Sequence, residues 1–222
     1  YMSVTVNPTP DHMDYDILFG SGGETLGGHL YLGLLSQLRA GDLSKARILD
    51  STADRGYIGP AARADVNGDG VLDLFVNSVN GRMLAYDGVT YQKLWEIKRP
   101  ETETYSSITV GLFNEDTLPD FFASYAMGSW PKLDWSTQFM ADGKTGKIQF
   151  IDSLGFYQNS SAVAVDWDGD GRDEVLMSVN IQEIKNDIHK YFYNILALID
   201  FKTNEVLQIG DTYEGNNVSS TP

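Results

Sequence analysis

Asp65-Val66-Asn67-Gly68-Asp69-Gly70-Val71-Leu72-Asp73 decides how this chain is read, because Asp166-Trp167-Asp168-Gly169-Asp170-Gly171-Arg172-Asp173-Glu174 repeats it. Both stretches place carboxylate or carboxamide oxygens at positions 1, 3 and 5, glycine at 6 and a carboxylate at 9. Alternate side chains of a tightly turned loop converge on one point, and Gly70 and Gly171 permit the turn. Hard oxygen ligands at that density suit Ca2+, whereas zinc prefers His and Cys. An EF-hand opens in the same way but needs a bidentate Glu at position 12 and a helix on each side. Position 12 is Val76 in one copy and Met177 in the other, and both loops run into short apolar stretches rich in β-formers. The loops therefore sit between strands. The alternative is a pair of solvated Asx-rich turns without metal.

Aligning the chain on the residue that closes each loop reveals four units, at Asp16, Asp73, Asp120 and Glu174, spaced by 57, 47 and 54 residues. Each opens on a short first strand, within 3–6, 60–64, 107–110 and 161–165. A second strand follows the loop, at 17–19, 74–76, 121–123 and 175–177. In the later units a third strand then meets a turn beginning Asp87-Gly88, Asp142-Gly143 or Asp200-Phe201, where Gly and Asn are expected to supply positive φ. A fourth strand closes each unit, at 47–49, 93–96, 147–150 and 206–209. Four antiparallel strands in about 50 residues make a propeller blade, which must stack on its neighbours to cover its faces. The expected fold is all-β, a β-propeller of four-stranded antiparallel blades at approximately 1–56, 57–104, 105–156 and 157–217, with a next blade starting at 218–222.

The loops at 65–73 and 166–174 resemble the FG-GAP/VCBS repeats, the calcium-bearing blades of integrin-α-type propellers. Asp142-Gly143-Lys144-Thr145-Gly146-Lys147, with Asp87 and Leu94-Trp95, is similar to the blade signature of PQQ-type propellers. The first resemblance implies two Ca2+ sites. One uses Asp65, Asn67, Asp69, Asp73 and the Val71 carbonyl; the other uses Asp166, Asp168, Asp170, Glu174 and the Arg172 carbonyl. Four blades could close a ring by themselves, but the resemblance implies a ring of seven or eight, so these four are expected to belong to a larger propeller or to be completed by another chain. Loop 112–120 departs from the pattern: Asn114, Asp116 and Asp120 stand at positions 3, 5 and 9, but Leu112 is at 1 and no glycine is at 6. It is a weak third site. In the first unit Pro8, Pro10 and His12 occupy the ligand slots and the site is lost.

Composition narrows the function. A formal net charge of −15 disfavours nucleic acid, which wants a basic face. No run of 18 apolar residues is present to span a membrane. Cysteine is absent, which removes disulfides, structural zinc and thiol catalysis. Weak calcium loops need abundant free Ca2+, which points to an extracellular, cell-surface or periplasmic place, in a bacterium given the lack of disulfides.

The connections between second and third strands are long in three units and carry Trp130, Trp135 and Tyr191, a candidate face for a protein or glycan partner. The opposing reading packs them between blades. Glycine-rich 20–28 lacks a Walker lysine and a following helix, so it reads as a hairpin loop. The function expected is a calcium-binding recognition, adhesion or assembly module without catalysis. The rival is a propeller-based polysaccharide lyase acting on acidic, pectin-type glycans, with Lys132, Lys185 and Lys190 as its charge neutralisers. A quinone-dependent dehydrogenase is a third reading, supported only by the blade signature.

Overall fold

The structure, a computed structural model, describes residues 4–156, 160–185 and 188–215, with the side chains of 182–192 outside that description. The first sheet comprises β1 (Thr5–Pro8), β2 (Tyr15–Gly20) and β3 (Gly28–Leu34), then a short helix α1 (Leu35–Arg39), then β4 (Arg47–Thr52). The second comprises β5 (Ala62–Ala64), β6 (Asp73–Ser78), β7 (Arg82–Tyr86) and β8 (Lys93–Lys98). A two-residue strand β9 (Thr102–Glu103) precedes the third sheet, β10 (Thr109–Gly111), β11 (Asp120–Ser129), β12 (Lys132–Ala141) and β13 (Ile148–Asp152), and pairs with its β11. The fourth has β14 (Val163–Val165), β15 (Glu174–Lys185), β16 (Ile188–Asp200) and β17 (Glu205–Glu214). Each sheet is an antiparallel meander whose strands pair in chain order. The protein is thus all-β and built of β-propeller blades.

Burial follows from stacking. β6 is buried at every position, whereas a sheet with one wet face alternates. Leu74 and Val76 pack with Leu18, Leu30 and Leu32 of the first sheet. Phe75 points the other way and lies 3.8 Å from Phe121 of the third sheet, ring on ring. Phe122 and Met140 then meet Val175, Met177 and Ala197 of the fourth. Truncating Phe75 to Ala would open a void costing about 3–5 kcal/mol. On the first sheet's far side Phe19 and Tyr31 stack on each other at 5.2 Å and stay half-exposed.

Innermost strands are tied laterally. Thr109 Oγ1 donates to the Ala162 carbonyl at 2.9 Å, and Ser107 N–H to Ser161 Oγ at 3.0 Å. Farther out, Trp95 Nε1 donates to the Gly143 carbonyl at 2.8 Å. Short inner strands joined side by side, with longer outer strands fanning from them, give the arrangement its radial sense.

Two expectations change. The long connections after the second strands of the third and fourth sheets are strand rather than loop: β11–β12 and β15–β16 run on as hairpins well past the blade body. Backbone pairing through Gly128↔Leu133 and Ser129↔Lys132 satisfies polar groups that a loop would leave to water. The short helix α1, between the third and fourth strands of the first sheet, was not foreseen; five residues carry too little periodicity to register. Segment 218–222, expected to start a further blade, lies outside the described residues. Among the described residues, no helix is long and apolar enough to cross a membrane.

Candidate metal centre

The loops at 65–73 and 166–174 share one hydrogen-bond scheme. Asp65 accepts the Gly68 and Gly70 N–H groups at 2.7 and 2.9 Å, as Asp166 accepts those of Gly169 and Gly171 at 2.9 and 3.2 Å. Asn67 Oδ1 accepts Asp69 N–H and Asp69 Oδ1 accepts Val71 N–H, matched by Asp168 with Asp170 and Asp170 with Arg172. Each side chain at positions 1, 3 and 5 thus folds back onto its own loop, which preorganises the oxygens. The glycines at position 4, Gly68 and Gly169, have φ of 77° and 79°, and those at position 6, Gly70 and Gly171, 85° and 88°. Nothing lies within 4 Å of an added Cβ at any of them, so φ alone demands glycine. Position 4 was not singled out from the sequence, although the Gly-x-Gly spacing was visible.

Position 9 works differently. Asp73 is fully buried; Oδ2 accepts Val66 N–H at 3.1 Å and Oδ1 accepts Gly88 N–H at 2.7 Å. Asp120 repeats this with Asn114 N–H at 3.1 Å and Gly143 N–H at 3.0 Å. The carboxylate staples its loop to the turn between third and fourth strands. An added Cβ would meet the Leu72 carbonyl oxygen at 2.3 Å from Gly88, and that of Pro119 at 1.9 Å from Gly143. Those glycines serve close approach, which corrects the expectation of positive φ there. Positive φ falls, as expected, at Gly146 and Asn204 and, unexpectedly, at Tyr91, each four residues past the turn aspartate.

Burial raises the carboxyl at this position in every sheet, in Asp16, Asp73 and Glu174 and in Asp120 to about 6. Around Glu174 the neighbouring Asp168, Asp200 and Asp170 push the same way. Backbone N–H groups offset only part of the cost of burying such charge, so a cation at the loop mouth would be stabilising. Asp65, by contrast, is held low: its Gly70 and Gly68 bonds outweigh a desolvation that pushes upward.

In the loop at 166–174, Asp166, Asp168 and Glu174 bring three carboxylate oxygens within 4.8 Å of one another, and among the described residues no other carboxylate, His or Cys group does so. Asp170 is drawn aside to Lys202 Nζ at 2.6 Å, and this contact holds its carboxyl low. In the loop at 65–73, Asp65, Asp69 and Asp73 keep the same backbone scheme without converging that closely, and Asn67 Nδ2 donates to Asp87 of the neighbouring turn at 3.2 Å. The donor set at 166–174 fits a hard divalent cation: all oxygen, polyanionic and half open to solvent.

The third loop keeps the position-5 and position-9 habits: Asp116 accepts Leu118 N–H and Asp120 staples the turn. Its first position, Leu112, offers no side-chain oxygen, and its backbone is held by the neighbouring loop. Leu112 N–H donates to Asp173 Oδ2 at 2.8 Å and its carbonyl accepts Asp173 N–H at 2.9 Å. At position 3 Asn114 Oδ1 accepts Asp116 N–H at 2.7 Å, as Asn67 does for Asp69, and its Nδ2 donates to Asp120 Oδ1 at 3.1 Å. Asn114, Asp116 and Asp120 do not form a carboxylate cluster.

On the β11–β12 hairpin, Trp130 and Trp135 are 53% and 48% exposed. The side chains of Tyr191, Lys185 and Lys190 lie outside the described residues, and Lys132 stands exposed at the start of β12.

No protein-family model and no curated protein matches the chain. Among solved structures it is similar to a europium-containing methanol dehydrogenase, at 14% identity and TM-score 0.37, over 65% of this chain and 23% of that one. It is also similar to the rhamnogalacturonan lyase YesW, at 13% and 0.45, over 87% and 43%. A third likeness is to BamB from Moraxella catarrhalis, at 11% and 0.43, over 99% and 55%. The chain spans between about a quarter and just over half the length of these proteins.

Proposed function

We propose that the chain is a calcium-stabilised β-propeller segment of the FG-GAP/VCBS type, serving as an extracytoplasmic recognition, adhesion or assembly module. The observation that carries this reading is the convergence of Asp166, Asp168 and Glu174 in a loop whose backbone scheme is duplicated at 65–73. An ion there would be held by Asp166, Asp168 and Glu174, with Asp170 released from Lys202. The second would be held by Asp65, Asn67, Asp69 and Asp73. The ion supplies positive charge and a cross-link between the start and the end of the loop. The chain's own residues do the rest: glycines fix the turn, and the position-9 carboxylate locks it to the outer hairpin. Trp130 and Trp135, on the face away from the loops, are the surface offered to a protein or glycan.

Calcium titration of chelator-treated protein by calorimetry tests the reading. Binding that is lost from one site in Asp168→Ala and from the other in Asp65→Ala supports it. Absence of heat at millimolar calcium refutes it.

A further inference from the structure

The first sheet departs from the others on the face that bears the loops. Segment 9–14 replaces the acidic glycine loop, and α1 with residues 40–46 replaces the short turn between third and fourth strands. Together with Tyr91 from the second sheet these segments line a half-open cavity of about 200 Å3. Its floor holds the Asp16 carboxylate, 2% exposed, which accepts a hydrogen bond from the Tyr91 hydroxyl. Lys45 and Arg47 line it from the open side, and both are exposed. The Arg47 guanidinium lies 5.3 Å from the centre of the Tyr91 ring. Among the described residues, no carboxylate pairs with either cation within 4.0 Å, in a chain with 31 acidic and 16 basic residues. Gln37 Oε1 is taken by Leu34 N–H at 3.3 Å, which leaves its amide NH2 for the cavity.

Two further features single the place out. Tyr91 has φ of 57° where the third and fourth sheets use Gly146 and Asn204, so a tyrosine is kept in a conformation its side chain disfavours. Arg63, whose charge acts on Asp16 from the second sheet, has Nε and Nη2 buried without a hydrogen-bond partner. Cations on one side and a buried carboxylate at the floor ask for a ligand with two different polar ends.

We propose that this cavity binds a small organic acid that also carries hydroxyl groups. The ligand carboxylate meets Lys45 and Arg47 at the rim, and one hydroxyl donates to the free oxygen of Asp16. A metal ion is disfavoured by Lys45, Arg47 and Arg63 together, and a compact phosphate by the Asp16 charge on the floor. The volume lies below the ~300–1,000 Å3 of drug-sized sites and suits an acid of roughly six carbons.

The test is calorimetry on the full chain in calcium, using D-gluconate as probe, with glucitol lacking the charge and hexanoate lacking the hydroxyls. Gluconate is expected to bind at least about tenfold tighter than either control. Lys45→Gln/Arg47→Gln, at exposed positions and with its melt checked, is expected to weaken it by about tenfold or more. No binding up to about 10 mM overturns the proposal, as does equal binding by the double variant or an equal affinity for hexanoate. The calcium loops at 65–73 and 166–174 take no part, so failure here leaves the metal reading untouched.

Discussion

The loop at 166–174 and the loop at 112–120 stand side by side on neighbouring sheets, joined by Arg172 and Glu115 at 3.2 Å, yet only one gathers carboxylates. Both keep the position-9 staple or its anchor on the loop backbone, through Glu174 to Trp167 N–H and Asp120 to Asn114 N–H. Among the ligand and glycine positions they differ at 1, 3, 4, 6 and 9, where Asp166, Asp168, Gly169, Gly171 and Glu174 face Leu112, Asn114, Glu115, Thr117 and Asp120. Two jobs are thereby separated. Position 9 ties each loop to its own backbone, and of these two loops only the one with the Asp-x-x-Gly-x-Gly frame gathers carboxylates around it.

The largest effect should come from attacking what the loops share. Gly143→Ala drives a Cβ into the Pro119 carbonyl, and Gly88→Ala into that of Leu72. Each is expected to cost about 3 kcal/mol in urea unfolding. The loss in Gly143→Ala should be the same in calcium and in chelator, because no ion is proposed for its loop. A tolerated Gly143→Ala would remove the staple from the account.

Chelation comes next. An ion present at 100 times its dissociation constant adds ~2.7 kcal/mol per site, so a chelator should lower the thermal midpoint by several degrees. Asp166→Ala and Asp168→Ala should lower it in calcium and be nearly silent in chelator, whereas Asp116→Ala should behave alike in both. A chelator response carried equally by Asp116 would erase the contrast between the loops.

Much of this contrast was legible in the residues. The 1-3-5-9 oxygen spacing located both loops, the repeat phase located four sheets, and Leu112 marked the degenerate loop. The hold of Asp173 on the Leu112 backbone joins residues 61 apart and has no local signature. The same holds for Gly88, whose partner Asp73 is 15 residues back; its dipeptide reads as a turn when its task is close approach. The hairpin β11–β12 reads as a loop because Gly128 and Pro131 are turn-like in isolation, while cross-strand pairing overrides that preference. Cavities such as the one over Asp16 depend on an insertion in one sheet and a tyrosine from the next, so no single stretch announces them.

Rebuilding the lost frame sharpens the comparison. Leu112→Asp with Glu115→Gly and Thr117→Gly should give the third loop the same backbone scheme, adding one bound calcium per chain by equilibrium dialysis. An unchanged count would mean that the grip of Asp173 dominates over loop composition.

Asp120 offers a smaller, metal-free readout. Burial, followed by Asp116 and Asp142, raises its carboxyl from 3.8 to about 6, against the pull of the Gly143 N–H. A carboxyl raised in the folded state stabilises most below its unfolded value and loses that contribution as pH climbs through the folded one. Stability measured in chelator should therefore fall between about pH 4 and 6, and Asp120→Asn should flatten that fall. A slope identical in Asp120→Asn would assign it elsewhere. Smallest of all, Lys202→Met frees Asp170 and should tighten calcium binding by about threefold, since exposed ion pairs are weak.

Counting the ions tests the central claim most directly. Equilibrium dialysis of the intact chain against millimolar calcium should give two per molecule, falling to one in Asp168→Ala and unchanged in Asp116→Ala. A count of zero, or one that Asp168→Ala leaves as it was, would contradict it.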